Sequence, residues 1–177
     1  MYRDNTLIPT EAIRLAALGS LVESEKCYAE LASEIRYFVA RVAGPSLDLL
    51  GDSLELLSYE ELAQPTDGGA MTDGAPLRIT EAGHDAFRTL MTSNVRAPVN
   101  DVSKLVIALK IRFLHLIPAE DRREQVEMLI EMCEVELARL DELRRNYAQP
   151  LLADWLDLEI AQLTDRLAWF RALDEAR

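Results

Sequence analysis

The segment LAQPTDGGAMTDGAPLRI, residues 62–79, is where the chain stops reading as helix. Two short apolar pieces, residues 62–63 and 77–79, flank a stretch of Gly, Pro, Asp and Thr. Those residue types break helices and supply turn conformations, so the spacing predicts one β-hairpin with a long tip. The rest of the chain reads as helix. The place of this hairpin in the order of helices therefore fixes the architecture.

Upstream, TEAIRLAALGSLVES has Thr10 as its expected N-cap. Ile13, Leu15, Leu18, Leu21 and Val22 fall on more than one side of it, which predicts a central helix. Ser24 is the expected cap of a second helix, EKCYAELASEIRYFVARV. There Tyr28, Leu31, Ile35, Phe38, Val39 and Val42 keep helical spacing until Gly44 and Pro45 end it. Ser46 is the expected cap of a third, LDLLGDSLELL. Leu47, Leu50, Leu54 and Leu57 form one stripe of it; Asp48, Asp52 and Glu55 form another. After the hairpin, Thr80 caps EAGHDAFRTLM. Three helices, a hairpin and a helix make a winged helix-turn-helix, expected over residues 1–92.

The polar stretch SNVRAPVN is a joint, and beyond it the chain is helical to the end. One helix is expected over 101–117. Pro118 fits the first position of the next, which runs to about Tyr147. In that helix Val126, Ile130, Cys133, Leu137 and Leu140 recur at steps of four and three. After Pro150, Leu156, Ile160, Leu163, Leu167 and Phe170 do the same. Such a repeat marks a coiled-coil seam. Two seams in one small region suggest a dimerisation module over 93–177; a monomeric helical hairpin packed on the first domain is the other reading. The fold class expected is mainly α with a small β-hairpin: a winged helix-turn-helix, then an antiparallel helical dimerisation region that makes the chain a homodimer.

LRITEAGHDAFRTLM resembles the second wing strand and following helix of the PadR family of bacterial transcription regulators, and in particular its AphA-type virulence activators; Thr80, Ala82 and Gly83 carry most of the likeness. RLAALGSLVES resembles the family's first helix, and EIRYF the end of its second. LKIRFLHLIPAEDR and EIAQLTDRLAWFRAL are similar to its C-terminal helices. The resemblance implies a homodimeric DNA-binding regulator; the cysteines and the N-terminus read as those of a cytoplasmic protein, and no residue supports an enzymatic reading. It places Ser46, Asp48, Asp52, Ser53, Glu55 and Arg78 toward DNA. The family usually carries tyrosine where this chain has Gly51, basic or polar residues where it has Asp52 and Glu55, and glycine where it has Glu61.

Charge runs against that expectation. Net charge is −12, and between Arg41 and Arg78 lie seven acids, Asp48, Asp52, Glu55, Glu60, Glu61, Asp67 and Asp73, with no Lys, Arg or His. Affinity for DNA comes largely from cations that neutralise phosphates and release counterions. A carboxylate 4 Å from a phosphate is repelled by about 1 kcal/mol even in water. The charge thus predicts disfavoured DNA contact. It also raises a second possibility, a winged-helix dimer that has lost DNA binding and presents its acidic face to a protein partner.

Other chemistry finds little support. No Cys or His pair has metal-ligand spacing, and His84 and His115 read as an exposed and a helix-packing residue. No nucleophile has an oriented base and no Gly-rich phosphate loop is present, so no cofactor is expected. Cys27 and Cys133 read as small buried hydrophobes in a reducing cytosol. Trp155 and Trp169 read as core or dimer packing. No apolar run nears the ~20 residues needed to span a bilayer, and MYRDNTLIPTEAIRL lacks the basic start and apolar stretch of a signal peptide.

Overall fold

In the computed structural model, which describes residues 6–44, 50–68, 74–95 and 99–175 (of residues 50–53, 174 and 175 the backbone alone), the first helix, α1 (Pro9–Glu23), is the axis of the first half. Nine of its residues in near-unbroken sequence, from Ala12 to Leu21, are buried. That follows from its composition: small and aliphatic side chains on every side let neighbours close around it. Its start lies one residue earlier than Thr10. Pro9 takes the first helical position, and the Ile8 N–H donates to the Glu11 carboxylate at 2.9 Å.

Ser24 does not cap the second helix. Its own N–H donates to the Ser20 carbonyl and ends α1. The next residues, Lys26–Cys27, form a two-residue strand, β1, and Cys27 is the N-cap of α2 (Tyr28–Val42), with the Glu30 carboxylate accepting from its N–H at 3.1 Å. Then come α3 (Leu50–Tyr59), β2 (Ala63–Pro65), β3 (Pro76–Ile79) and α4 (Glu81–Met91). The hairpin strands pair as expected, with Gln64 opposite Arg78. β1 adds a third antiparallel strand on the far side of β3, giving the order β1-β3-β2. Leu31, Ile35, Leu54, Leu57, Leu77 and Phe87 are buried around α1 in this half; Tyr28, expected with them, is only half-buried, and the Leu50 side chain lies outside the described residues.

The joint after α4 leads to α5 (Asp101–Phe113), which stops short of Ile117 in a 3-10 turn, Leu114–Leu116. Asn100 caps it, accepting from the Ser103 N–H at 2.8 Å. α5 belongs to the first compact unit rather than to the helices that follow. The reason is Phe113. Its ring lies edge-on to Phe87 of α4 at 6.1 Å and fills the space above Gly19 of α1. A Cβ at Gly19 would stand 2.4 Å from that ring. Lys110, also of α5, is fully buried, and its amine donates to the carbonyl of Met91 and, at 2.7 Å, to that of Ser93. It thereby satisfies backbone acceptors at the end of α4 that have no helical partner. The first unit is thus α1 to α5 with the sheet, so its edge lies well beyond residue 92.

The second unit is a helical hairpin, α6 (Ala119–Asn146) and α7 (Pro150–Glu175). Three residues connect them, which obliges them to run antiparallel. Flanking ion pairs fix the register: Arg144 to Asp157 at 2.8 Å near the turn, and Arg171 to Glu134 at 2.6 Å near the open end.

Candidate nucleic-acid interface

The surface that sequence places toward DNA is assembled at the end of α3. The helix closes in a left-handed turn. The Leu62 N–H donates to the Leu57 carbonyl at 2.8 Å and the Glu61 N–H to that of Ser58 at 3.1 Å. This is the Schellman arrangement, in which apolar residues at either end of the turn are buried, as Leu57 and Leu62 are here. It requires a positive φ at the residue between, and Glu61 adopts +58°. The turn delivers the chain straight into β2.

Thr80 locks the far end. Its hydroxyl oxygen accepts from the Gly83 N–H at 3.0 Å and donates to the Glu61 carbonyl at 2.7 Å. One side chain therefore caps α4 and ties it to the turn after α3. Gly83 permits the approach, since a Cβ there would stand 2.1 Å from the Leu62 carbonyl oxygen. The Thr80 and Gly83 pattern quoted above is the covalent record of this junction.

What faces outward is acidic with aromatic interruption. On α3, Glu55 is exposed, as are Leu56 and, at 85%, Tyr59. Glu60 is held by Arg14 of α1 at 2.8 Å, which neutralises one acid of the group. On β3, Arg78 is exposed, and its Nε and Nη2 donate to the Gln64 side-chain oxygen at 3.1 and 3.0 Å when that amide is turned oxygen-inward. Of the other candidates, Asp52 and Ser53 are on α3 with side chains outside the described residues, and Ser46 and Asp48 lie outside them altogether. On α2, Arg36 is exposed, and Arg41 stacks 3.5 Å above the Tyr37 ring.

A second polar cluster joins α1, α2 and α5. Arg112 bridges Glu34 and Glu23, and Lys26 reaches Glu34 at 3.3 Å. Burial pushes the Glu34 carboxyl up; hydrogen bonds from Arg112 and Ser20 and the charge of Lys26 outweigh it and hold the carboxyl below its ordinary value. His115 sits in the 3-10 turn, mostly exposed and 3.9 Å from Glu23, so it does not pack between helices as expected. The cluster pins three helices of the first unit together. Among the described residues no group of three His, Cys, Asp or Glu is arranged to hold a metal ion, and no helix is long and apolar enough to cross a membrane.

The residues expected at a dimer seam lie as follows. Val126, Cys133, Leu156, Leu163, Leu167 and Phe170 are buried within the single chain; Ile130, Leu137 and Ile160 are half-buried. These seams face one another and close the α6–α7 hairpin. Burial raises the Cys133 thiol pKa, so this cysteine is an inert core residue. Spacing did not single out a neighbouring face of α7. There Leu151, Trp155, Leu158 and Trp169 stand 85, 51, 54 and 49% exposed. The signal was present, as large apolar residues outside the seam.

Helices α1 to α4 with the hairpin between the last two, followed by a long antiparallel helical pair, define a mainly helical protein with one small antiparallel sheet. The family described as "Putative AphA-like transcriptional regulator" matches residues 2–174, and the chain belongs to it. No curated protein matches the chain.

Proposed function

We propose that the chain is a homodimeric winged-helix transcription regulator, of the PadR type in the wider sense, in which α3 and the β2–β3 hairpin approach DNA. The observation that carries this reading is the junction at Thr80. It ties α4 to the turn between α3 and β2, beside a face on which Glu55, Leu56 and Tyr59 are exposed. A helix carried in this way fits a major groove, and a two-fold pair of them fits an operator with two half-sites. Family membership supports regulation of transcription as the role.

Electrostatics then sets the style of binding. Arg78 is the one base of the stretch from residue 42 to 78. Non-specific attraction to phosphate is therefore small, and what affinity there is must come from base edges and from having two copies. Anisotropy of labelled duplexes tests this: a duplex from the protein's own promoter region should bind better than a random one at low salt. A second reading rests on the same charge. If neither duplex binds at low salt, the acidic face serves a basic protein partner instead.

A further inference from the structure

Gln64 and Arg78 stand opposite each other on β2 and β3, and both are exposed while their neighbours Ala63 and Leu77 are buried. The pair therefore lies on the outer face of the hairpin. Arg14, Lys26 and Arg112 of the same unit each meet a carboxylate, at Glu60 or Glu34, which cancels their charge locally. Arg78 meets an amide instead. Its Nε and Nη2 donate to the Gln64 oxygen at 3.1 and 3.0 Å when that amide is turned oxygen-inward, so the guanidinium is held without being neutralised. Arginine has five N–H donors in a rigid planar fork. Gln64 uses two of them along the Nε edge, which leaves the two-nitrogen end of the fork for another acceptor. That end presents two parallel N–H groups, the geometry that takes two oxygens of a phosphate. Residue choice agrees with this. Between Arg41 and Arg78 the chain places acids at seven positions, yet the residue across from Arg78 is neutral. A glutamate there would bond the same edge and cancel the charge.

We propose that Gln64 is a positioning residue that aims Arg78 at a backbone phosphate of duplex DNA. This rests on the winged-helix reading above and names within it the phosphate contact and the residue that prepares it. A loose arginine side chain loses rotamer freedom when it binds. Arg78 has given up part of that freedom in the folded hairpin, which is the gain from preorganisation. The surrounding charge is negative and repels phosphate, so one oriented cation decides where a phosphate can come close. Such a contact carries no sequence information. It serves a promoter duplex and a random duplex alike, and fixes where the hairpin sits on either.

The test is anisotropy of a random duplex and of a promoter-region duplex, titrated with the full chain from low salt upward. Arg78→Ala should weaken binding to both roughly tenfold and lower the salt slope by about one unit for each copy bound. Gln64→Glu is the deciding variant. It keeps a bond to Arg78, so the urea midpoint should not fall, but it cancels the charge and should lose as much affinity and slope as Arg78→Ala does. Gln64→Leu keeps the charge and frees the side chain. It should cost affinity, by less than Arg78→Ala, with most of the slope retained; binding equal to wild type would overturn the positioning role. If the pair only braces the hairpin, Gln64→Glu binds both duplexes like wild type, and this inference falls while the reading of α3 stands. A loss confined to the promoter duplex would make Arg78 a reader of bases and overturn the phosphate contact. A wild type that binds neither duplex removes the DNA reading itself, and this inference with it.

Discussion

Glu61 occupies a backbone conformation that costs an L-residue about 1–2 kcal/mol, and glycine far less. Its carbonyl is fixed by Thr80 and its neighbours by the Schellman bonds, so the turn cannot relax to suit the side chain. Glu61→Gly should therefore stabilise the protein by about 0.5–1 kcal/mol, after the extra freedom glycine gives the unfolded chain. Gly83→Ala should do the reverse and cost more than ~1 kcal/mol, because the new methyl meets a backbone carbonyl that cannot swing away. Urea denaturation of the two variants checks both signs. Lys110 makes a different prediction. Burial lowers its pKa from 10.5 to about 7. Between those values the unfolded chain holds a proton that the folded chain does not. Stability contributed at this site therefore rises with pH from about 7 to 10.5 and is flat below 7. The difference between wild type and Lys110→Met, followed by urea midpoint against pH, should show that slope. A constant difference would mean the lysine stays charged in the fold.

At the scale of elements, α3 separates what packing requires from what DNA would require. Leu54 and Leu57 of α3 are buried to within 2% of completely, while Glu55 and Leu56 between them are exposed. Leu54→Ala should cost roughly 2–5 kcal/mol. Asp48→Lys, Asp52→Arg and Glu55→Arg together should leave the fold intact and raise affinity for random duplex. Each new phosphate contact should steepen the salt dependence by up to about one unit. The same separation explains what the sequence made legible. Hairpin ends, the Thr80 cap, the central burial of α1 and the antiparallel hairpin of α6 and α7 each have a local cause in residue type or spacing. β1 has none, because two residues have no periodicity; it exists because β3 has an open edge. Nor could spacing show that Phe113 fills the space above Gly19, which draws α5 into the first unit. The seams of α6 and α7 were visible, but one seam is consumed by its neighbour within the chain. Outside that seam, Trp155 and Trp169 of α7 are half-exposed.

As proposed, the whole molecule is a winged-helix regulator whose attraction to phosphate rests on a few arginines. Thr80 ties α4 to the turn that ends α3, and the chain belongs to a family of putative AphA-like transcriptional regulators. The charge limits it, with a net of −12 overall and no base between Arg41 and Arg78. The most direct test is fluorescence anisotropy of a random 30-mer and of the protein's own promoter region, titrated with wild-type protein from low to physiological salt. The promoter duplex should bind more tightly than the random one at low salt, with a shallow salt dependence, and both should bind weakly at physiological salt. Nanomolar binding to the random duplex at physiological salt, or equal affinity for the two duplexes throughout, would contradict that proposal.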